Sequence, residues 1–186
     1  MSRIATKRLQ KELSDLQTKG CPTGCRVIQA ENLEEWIIAV RVLGETVYEG
    51  DTHLLSAQRS LLWQVLRSVL HGNKSANTTG HFAGQQRFRF NSQYPIDSPE
   101  VTFLNTEEYS PPTHPHVYTN GHICASVLGS GWSPVLNVQS LLLTMQSMLA
   151  SCKAKELPPD NDRYVRNAPK SPKDTRWAYH DGTHTV

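Results

Sequence analysis

His114–Cys124 reads HPHVYTNGHIC, and Trp132-Ser133-Pro134 follows closely. This short segment holds three histidines, a proline bend, an Asn-Gly turn and a single cysteine, more reactive and turn-forming chemistry than a connecting loop needs. The reading that organises the chain is that Cys124 is a nucleophile and that the residues before it form its shaped wall. The Asn-Gly turn sets Cys124 on an exposed ledge within reach of His114, His116 and His122.

Two other chemistries use the same residue types. His114, His116, His122 and Cys124 are all zinc ligand types, but no Cys-x-x-Cys pair is present, and Pro115 and Gly121 break the regular backbone that alternate-residue ligands require. A cysteine hydrolase needs a base held against the thiol and a third group holding that base, and the spacing identifies no third group. Cys21, Cys25 and Cys152 read as small buried hydrophobes.

Downstream, Asn137 is a good cap for a helix in which Val138, Leu141, Leu142, Met145, Met148 and Leu149 recur at helical spacing, as core. Ser151–Asn161 is a polar loop closed by Pro158-Pro159, Tyr164–Asn167 forms a short helix, and the tail from Ser171 carries Trp177, Tyr179, His180, Asp181 and His184.

Upstream, Ser2 caps a helix with Ile4, Ala5, Leu9, Leu13 and Leu16 near one face, Gly20 as the stop and Pro22 beyond; Arg3, Lys7, Arg8 and Lys11 take the opposite face. Cys25–Ala30 and Trp36–Leu43 read as strands joined by the turn Glu31–Glu35, and Asp51–Leu55 starts a third. The pattern then breaks. Residues 56–85 begin with Leu61, Leu62, Val65, Leu66, Val69 and Leu70 at helical spacing, predicting a helix over 61–70, and continue into a polar, Gly-rich stretch that reads as flexible. Arg87–Phe90 resumes strand alternation, and the proline-stiffened turn Tyr94–Pro99 leads into Val101–Leu104. A strand that stops and restarts after so long an excursion marks residues 56–85 as an insertion, either a lineage-specific elaboration or an in-frame intron carried into the translated sequence.

Composition bounds the rest. The 186 residues suit one domain, 1–186, and a net charge of +2 is too small to argue for nucleic acid. No apolar run approaches the roughly 18 residues of a membrane span. The start lacks the apolar region and cleavage site of a secretory signal, so Asn77-Thr78-Thr79 carries no weight as a glycosylation acceptor. Four cysteines at no framework spacing point to the reducing cytoplasm or nucleus. The element order predicts an α+β domain with helices at the ends of an antiparallel sheet.

HPHVYTNGHIC resembles the active-site signature of the ubiquitin-conjugating enzymes, a His-Pro-Asn tripeptide followed at a fixed interval by the acceptor cysteine; His116 to Cys124 keeps that interval. YPIDSP, the WSP triplet and the long helix after it match in order and spacing, over nearly the whole chain outside residues 56–85. The His-Pro-His departure and the tail YVRNAPKSPKDTRWAYHDGT resemble the W-type members, which act on protein N-termini.

The resemblance implies an N-terminal helix, a four-stranded antiparallel meander, an active-site loop, a central helix and short C-terminal helices, with the insertion interrupting the third strand. It implies that Cys124 takes ubiquitin as a thioester from the activating enzyme and passes it to an amine, with a RING or U-box type ligase bound. The activating enzyme consumes the ATP, so no cofactor and no metal are expected, nor nucleic-acid or membrane partners. Arg3, Lys7, Arg8 and Lys11 become the dock for the activating enzyme. Ile96, Trp132, Pro134 and Val135 become the ligase grip, although the family more often has Phe where Ile96 stands. His116 replaces an asparagine thought to shape the loop and donate to the developing oxyanion, a donor whose loss typically costs about 10²–10³ in rate.

The W-type resemblance further implies that substrates are proteins with flexible N-termini. An α-amine of pKa about 7.7–8.0 is roughly 10% unprotonated at neutral pH, whereas lysine near 10.4 is almost wholly protonated. Asp160, Asn161, His180 and Asp181 are the local candidates to orient it. The reading from another class is a weak or inactive ubiquitin-binding scaffold of the same fold; such variants lack the acceptor cysteine.

Overall fold

The computed structural model describes residues 1–48, 84–107 and 109–177. Helix α1 (Arg3–Thr18) opens where expected: the Ser2 hydroxyl accepts the Ala5 N–H at 3.2 Å, filling one of the donors the first turn leaves unpaired. Its buried stripe is Ala5, Leu9, Glu12 and Leu16. Ile4, expected on that stripe, is instead 69% exposed, because at about 100° per residue it falls with Lys7 and Lys11 on the far side from Leu9.

A carboxylate on the buried stripe needs donors, and Glu12 has three. Its Oε1 accepts from Arg8 Nε at 2.5 Å and from the Tyr94 hydroxyl at 2.7 Å, and its Oε2 accepts the Val138 N–H at 2.8 Å. Arg8 Nη2 continues to the Leu136 carbonyl at 2.8 Å. The charge is thereby paired and hydrogen-bonded, the condition under which burial is tolerated.

The sheet is an antiparallel meander in chain order: β1 (Cys25–Gln29), β2 (Glu35–Val40), β3 (Gly84–Arg89) and β4 (Glu100–Phe103). The β1–β2 turn is the expected one, with Asn32 Oδ1 accepting both the Glu34 and Glu35 N–H groups at 2.8 Å. β3 spans all six residues of β2, from Glu35↔Arg89 to Val40↔Gly84. Gly84 and Gln85, inside the bounds expected for the insertion, thus lie in β3, paired with Val40 and Ala39. Asp51–Leu55 and the predicted helix over 61–70 lie outside the described residues.

Helix α2 (Val138–Ala150) starts with a reciprocal cap: Asn137 Oδ1 accepts the Ser140 N–H while the Ser140 hydroxyl accepts the Asn137 N–H. Val138, Leu141, Leu142, Met145 and Leu149 join Trp36, Ile38, Phe88, Val101 and Phe103 in one buried cluster. Gln146 on the same helix is also buried, because its amide donates to the Thr23 and Arg41 carbonyls at 2.8 Å and ties α2 to the ends of β1 and β2. Helix α3 (Asn161–Asn167) and the 3-10 turns Ser126–Leu128 and Pro172–Asp174 complete the described structure.

Two stability predictions follow from this core. Glu12→Ala strands the Tyr94 hydroxyl, the Val138 N–H and the Arg8 guanidinium, and urea unfolding should show a loss of about 3–5 kcal/mol. Gln86 is fully buried between Ile38 and Phe103 in the register, and among the described residues neither its amide nitrogen nor its oxygen has a hydrogen-bond partner. Gln86→Met should therefore raise stability by about 1–3 kcal/mol in the same assay.

Candidate active site

The His114–Cys124 segment folds back on itself. Val117, fully buried, bridges to His114 on one side and to Ile123 on the other. The reversal is the Asn-Gly turn: Asn120 Oδ1 accepts the His122 N–H at 3.1 Å, and Gly121 adopts φ +91°. Glycine is required there, since a Cβ would stand 2.2 Å from the Phe103 carbonyl oxygen. Gly121 O accepts the Phe103 N–H at 2.9 Å, which seats the turn on β4.

The returning strand brings Cys124 beside His116. Cys124 N–H donates to the His116 carbonyl at 2.9 Å, and both residues line a cleft of about 340 Å³ with Ser126, Thr144, Met145 and Met148. Cys124 is half-buried, less open than the exposed ledge expected from the turn. Cys21 and Cys25 sit among core residues, and burial pushes the thiol of Cys25 up to about 12 and that of Cys21 in the same direction. The Cys152 thiol donates to the Ala154 carbonyl. The raised pKa values of Cys21 and Cys25 are the setting of inert thiols.

The three histidines separate in role. His114 is buried, its Nδ1 accepts the His116 N–H at 2.9 Å, and its Nε2 must then carry the proton it donates to the Met148 carbonyl at 3.1 Å. It is a brace between the loop and α2, with both nitrogens engaged. The His116 ring lies 5.4 Å from that of His114 and faces the Cys124 cleft. His122 Nδ1 meets the Tyr164 hydroxyl at 2.9 Å, and burial lowers its pKa. Among the described residues no three His, Cys, Asp or Glu side chains converge as a metal would need.

Sequence reading missed an aromatic cluster that backs this loop. Tyr118, Tyr164 and Trp177 pack with centroids 4.2–5.6 Å apart, drawn from the loop, α3 and the tail. No periodicity links residues so dispersed, so no local signal could reveal it. The Tyr118 hydroxyl donates to Asp160 Oδ1 at 2.9 Å; burial and this bond push the phenol's pKa up. Burial pushes the Asp160 carboxyl up, but the bonds from Tyr118 and Arg163 together outweigh it and hold the pKa below its usual range. Asn161 is buried, accepting the Thr119 N–H at 3.0 Å and donating to Asp162. Asp160 and Asn161 thus bind α3 to the loop; His180 and Asp181 lie outside the described residues.

Of the four basic residues on α1, Arg3, Lys7 and Lys11 are exposed, whereas Arg8 turns inward to Glu12 and Leu136. Ile96 and Val135 are 69% and 81% exposed on adjacent loops, and Pro134 is exposed beside them. Trp132 joins these loops, its indole N–H donating to the Pro95 carbonyl at 2.9 Å. A second cleft of about 390 Å³ lies between Ile96, Trp132, Leu128 and the tail residues Lys173 and Trp177.

The neutral His114 makes stability pH-dependent. Burial pushes its pKa down to about 4, against an ordinary value near 6.5. Between these values the unfolded chain binds a proton that the folded chain does not, so stability is fully present above the upper value and falls as pH drops through the window. His122 adds in the same direction. Urea unfolding at about pH 7.5 and about pH 4.5 should show His114→Gln, though weaker overall, losing roughly 2–3 kcal/mol less between the two conditions than the native chain.

Comparison with known proteins agrees with this geometry. Residues 58–178 match the family model described as ubiquitin-conjugating enzyme. The chain is 41% identical over 179 residues to the probable ubiquitin-conjugating enzyme E2 W of Dictyostelium discoideum, covering 95% of each, and 37% identical over 184 residues to the ubiquitin-conjugating enzyme E2 W of Caenorhabditis elegans, covering 97% of this chain and 98% of that one. The crystal structure of an E2 from Agrocybe aegerita superposes with a TM-score of 0.74 at 43% identity, covering 93% of this chain and all of that one, and one from Plasmodium falciparum with 0.56 at 30%, covering 79% and 99%. The chain belongs to the ubiquitin-conjugating enzymes, transferases that work with ubiquitin, an activating enzyme and ligases.

Proposed function

We propose that Cys124 accepts the ubiquitin C-terminus as a thioester and transfers it to the α-amino group of a flexible protein N-terminus. The observation that carries this reading is that His116 and Cys124 wall one cleft, with the Cys124 N–H bonded to the His116 carbonyl at 2.9 Å.

In the first step the Cys124 thiolate attacks the ubiquitin carbonyl carbon held by the activating enzyme, whose own thiolate leaves. In the second, a neutral amine attacks the Cys124 thioester, a tetrahedral oxyanion forms, and the Cys124 thiolate departs while the amine proton passes to solvent. The His116 imidazole supplies the N–H toward that oxyanion, a place for a preorganised donor. A site with weak base assistance selects an amine already unprotonated, which an α-amine of pKa about 7.7–8.0 provides and lysine near 10.4 does not. Asp160, exposed in part and held by Tyr118, orients the incoming amine.

Arg3, Lys7 and Lys11 form the dock for the activating enzyme, and Arg8 supports it from beneath. A RING or U-box type ligase grips Ile96, Pro134 and Val135, with Trp132 fixing the two loops in register. The protein acts in the cytoplasm or nucleus, where its thiol stays reduced.

Incubation with activating enzyme, ubiquitin and ATP should give a thiol-sensitive adduct, absent in Cys124→Ala and thiol-resistant in Cys124→Ser; a folded protein that forms no adduct would sink the reading. Single-turnover discharge should be faster onto a peptide with a free α-amine than onto one whose only amine is lysine. His116→Asn should change the rate of that discharge, and an unchanged rate would mean the imidazole has no special part.

A further inference from the structure

The segment after α3 is strapped across the sheet edge and ends behind the Cys124 loop. The Ser171 hydroxyl donates to Glu100 Oε2 on β4, and Lys173 Nζ donates to the Ser98 carbonyl at 2.6 Å. Further on, Thr175 Oγ1 and the Tyr164 hydroxyl lie 2.9 Å apart, the latter also meeting His122, and Trp177 packs against Tyr118 and Tyr164. Ser171 is therefore the hinge pin of a strap whose far end supports the aromatic cluster.

The local sequence is Lys170-Ser171-Pro172-Lys173, a serine followed directly by proline and flanked by cations. Ser171 has extended backbone, φ −109° and ψ +132°, the conformation a following proline favours. We propose that Ser171 is a phosphorylation site for a proline-directed serine/threonine kinase and that its phosphate releases the strap. The Ser171 Oγ attacks the terminal phosphorus of a nucleoside triphosphate, its proton passing to the kinase's base; the Oγ–P bond forms as the bridging P–O bond breaks and the nucleoside diphosphate leaves.

The hydroxyl proton that now bonds Glu100 is lost in that step, and about −1.5 to −2 charges face the carboxylate instead. The Glu100 side chain is only 15% exposed, so solvent screens the repulsion poorly. Two of the cations on hand are committed, Arg89 to Glu35 and Glu100 and Lys173 to the Ser98 carbonyl, and the neighbouring Lys170 is exposed to solvent. Ser171 is half-buried, so the kinase captures the strap as it lifts. Release withdraws Thr175 and Trp177 from the rear of the loop that carries Cys124. The inference stands on the strap's geometry and does not depend on the α-amine reading.

The test treats the full-length chain with a proline-directed kinase and ATP, locates phosphate by mass spectrometry, and measures amide hydrogen exchange over residues 168–177. Phosphate on Ser171, absent in Ser171→Ala, with exchange about tenfold faster is expected. In a Glu100→Gln background the acceleration caused by the phosphate should be smaller, since one of the two like charges is gone. A full-length chain that takes no phosphate at Ser171 overturns the site. Phosphorylated chain with unchanged exchange overturns the release, because Lys170, Lys173 or Arg89 then holds the phosphate in place; equal acceleration in Glu100→Gln overturns the like-charge cause.

Discussion

Three parts of the molecule are held together by the carboxylate of Glu12. It accepts from Arg8 within α1, from Tyr94 at the start of the turn that presents Ile96, and from the Val138 N–H at the start of α2. The last bond fills one of the donors a helix N-terminus leaves unpaired and places negative charge at the positive end of the helix dipole. A buried carboxylate that lost one donor could not recover it from water, so the positions of α1, the Ile96 turn and α2 are set jointly. The proposed docks for the activating enzyme and the ligase thus share one internal anchor.

The loop carrying Cys124 is supported from two sides. Beneath it, His114 spans from the His116 N–H to the Met148 carbonyl, a geometry available only to the neutral imidazole. Beside it, Tyr118, Thr119 and His122 are tied to Asp160, Asn161 and Tyr164. What remains open is the cleft between His116, Cys124 and α2. A rigid wall with one accessible thiol suits transfer chemistry, because positioned donors gain over water only if they need not reorganise during the reaction.

The support beside the loop comes partly from the tail. Thr175 and Trp177 reach Tyr164 and Tyr118 only because Ser171 and Lys173 have fixed the segment to β4. A change in charge at the sheet edge can therefore be felt behind Cys124 without touching it, through a short chain of packed rings and hydrogen bonds.

Local chemistry made much of this legible in the sequence. Ser2 and Asn137 are caps because their side chains reach N–H groups three residues on, and the apolar spacing of Leu9 and Leu16 or of Leu141, Met145 and Leu149 is a property of the helix itself. The Asn120-Gly121 turn and Cys124 beyond it were likewise legible, since the turn needs a residue without a Cβ. Ile4 was misplaced because adjacent apolar residues do not reveal which edge of the stripe is covered. Arg8 looked equivalent to Arg3, Lys7 and Lys11 until Glu12 and Leu136 were brought to it. His114 as a brace, Asn161 as a tie and Ser171 as a hinge pin depend on partners far away in the chain, Met148, Thr119 and Glu100. Such partners are chosen by packing, and hydrogen bonds between distant segments leave no periodic trace in the residues that make them.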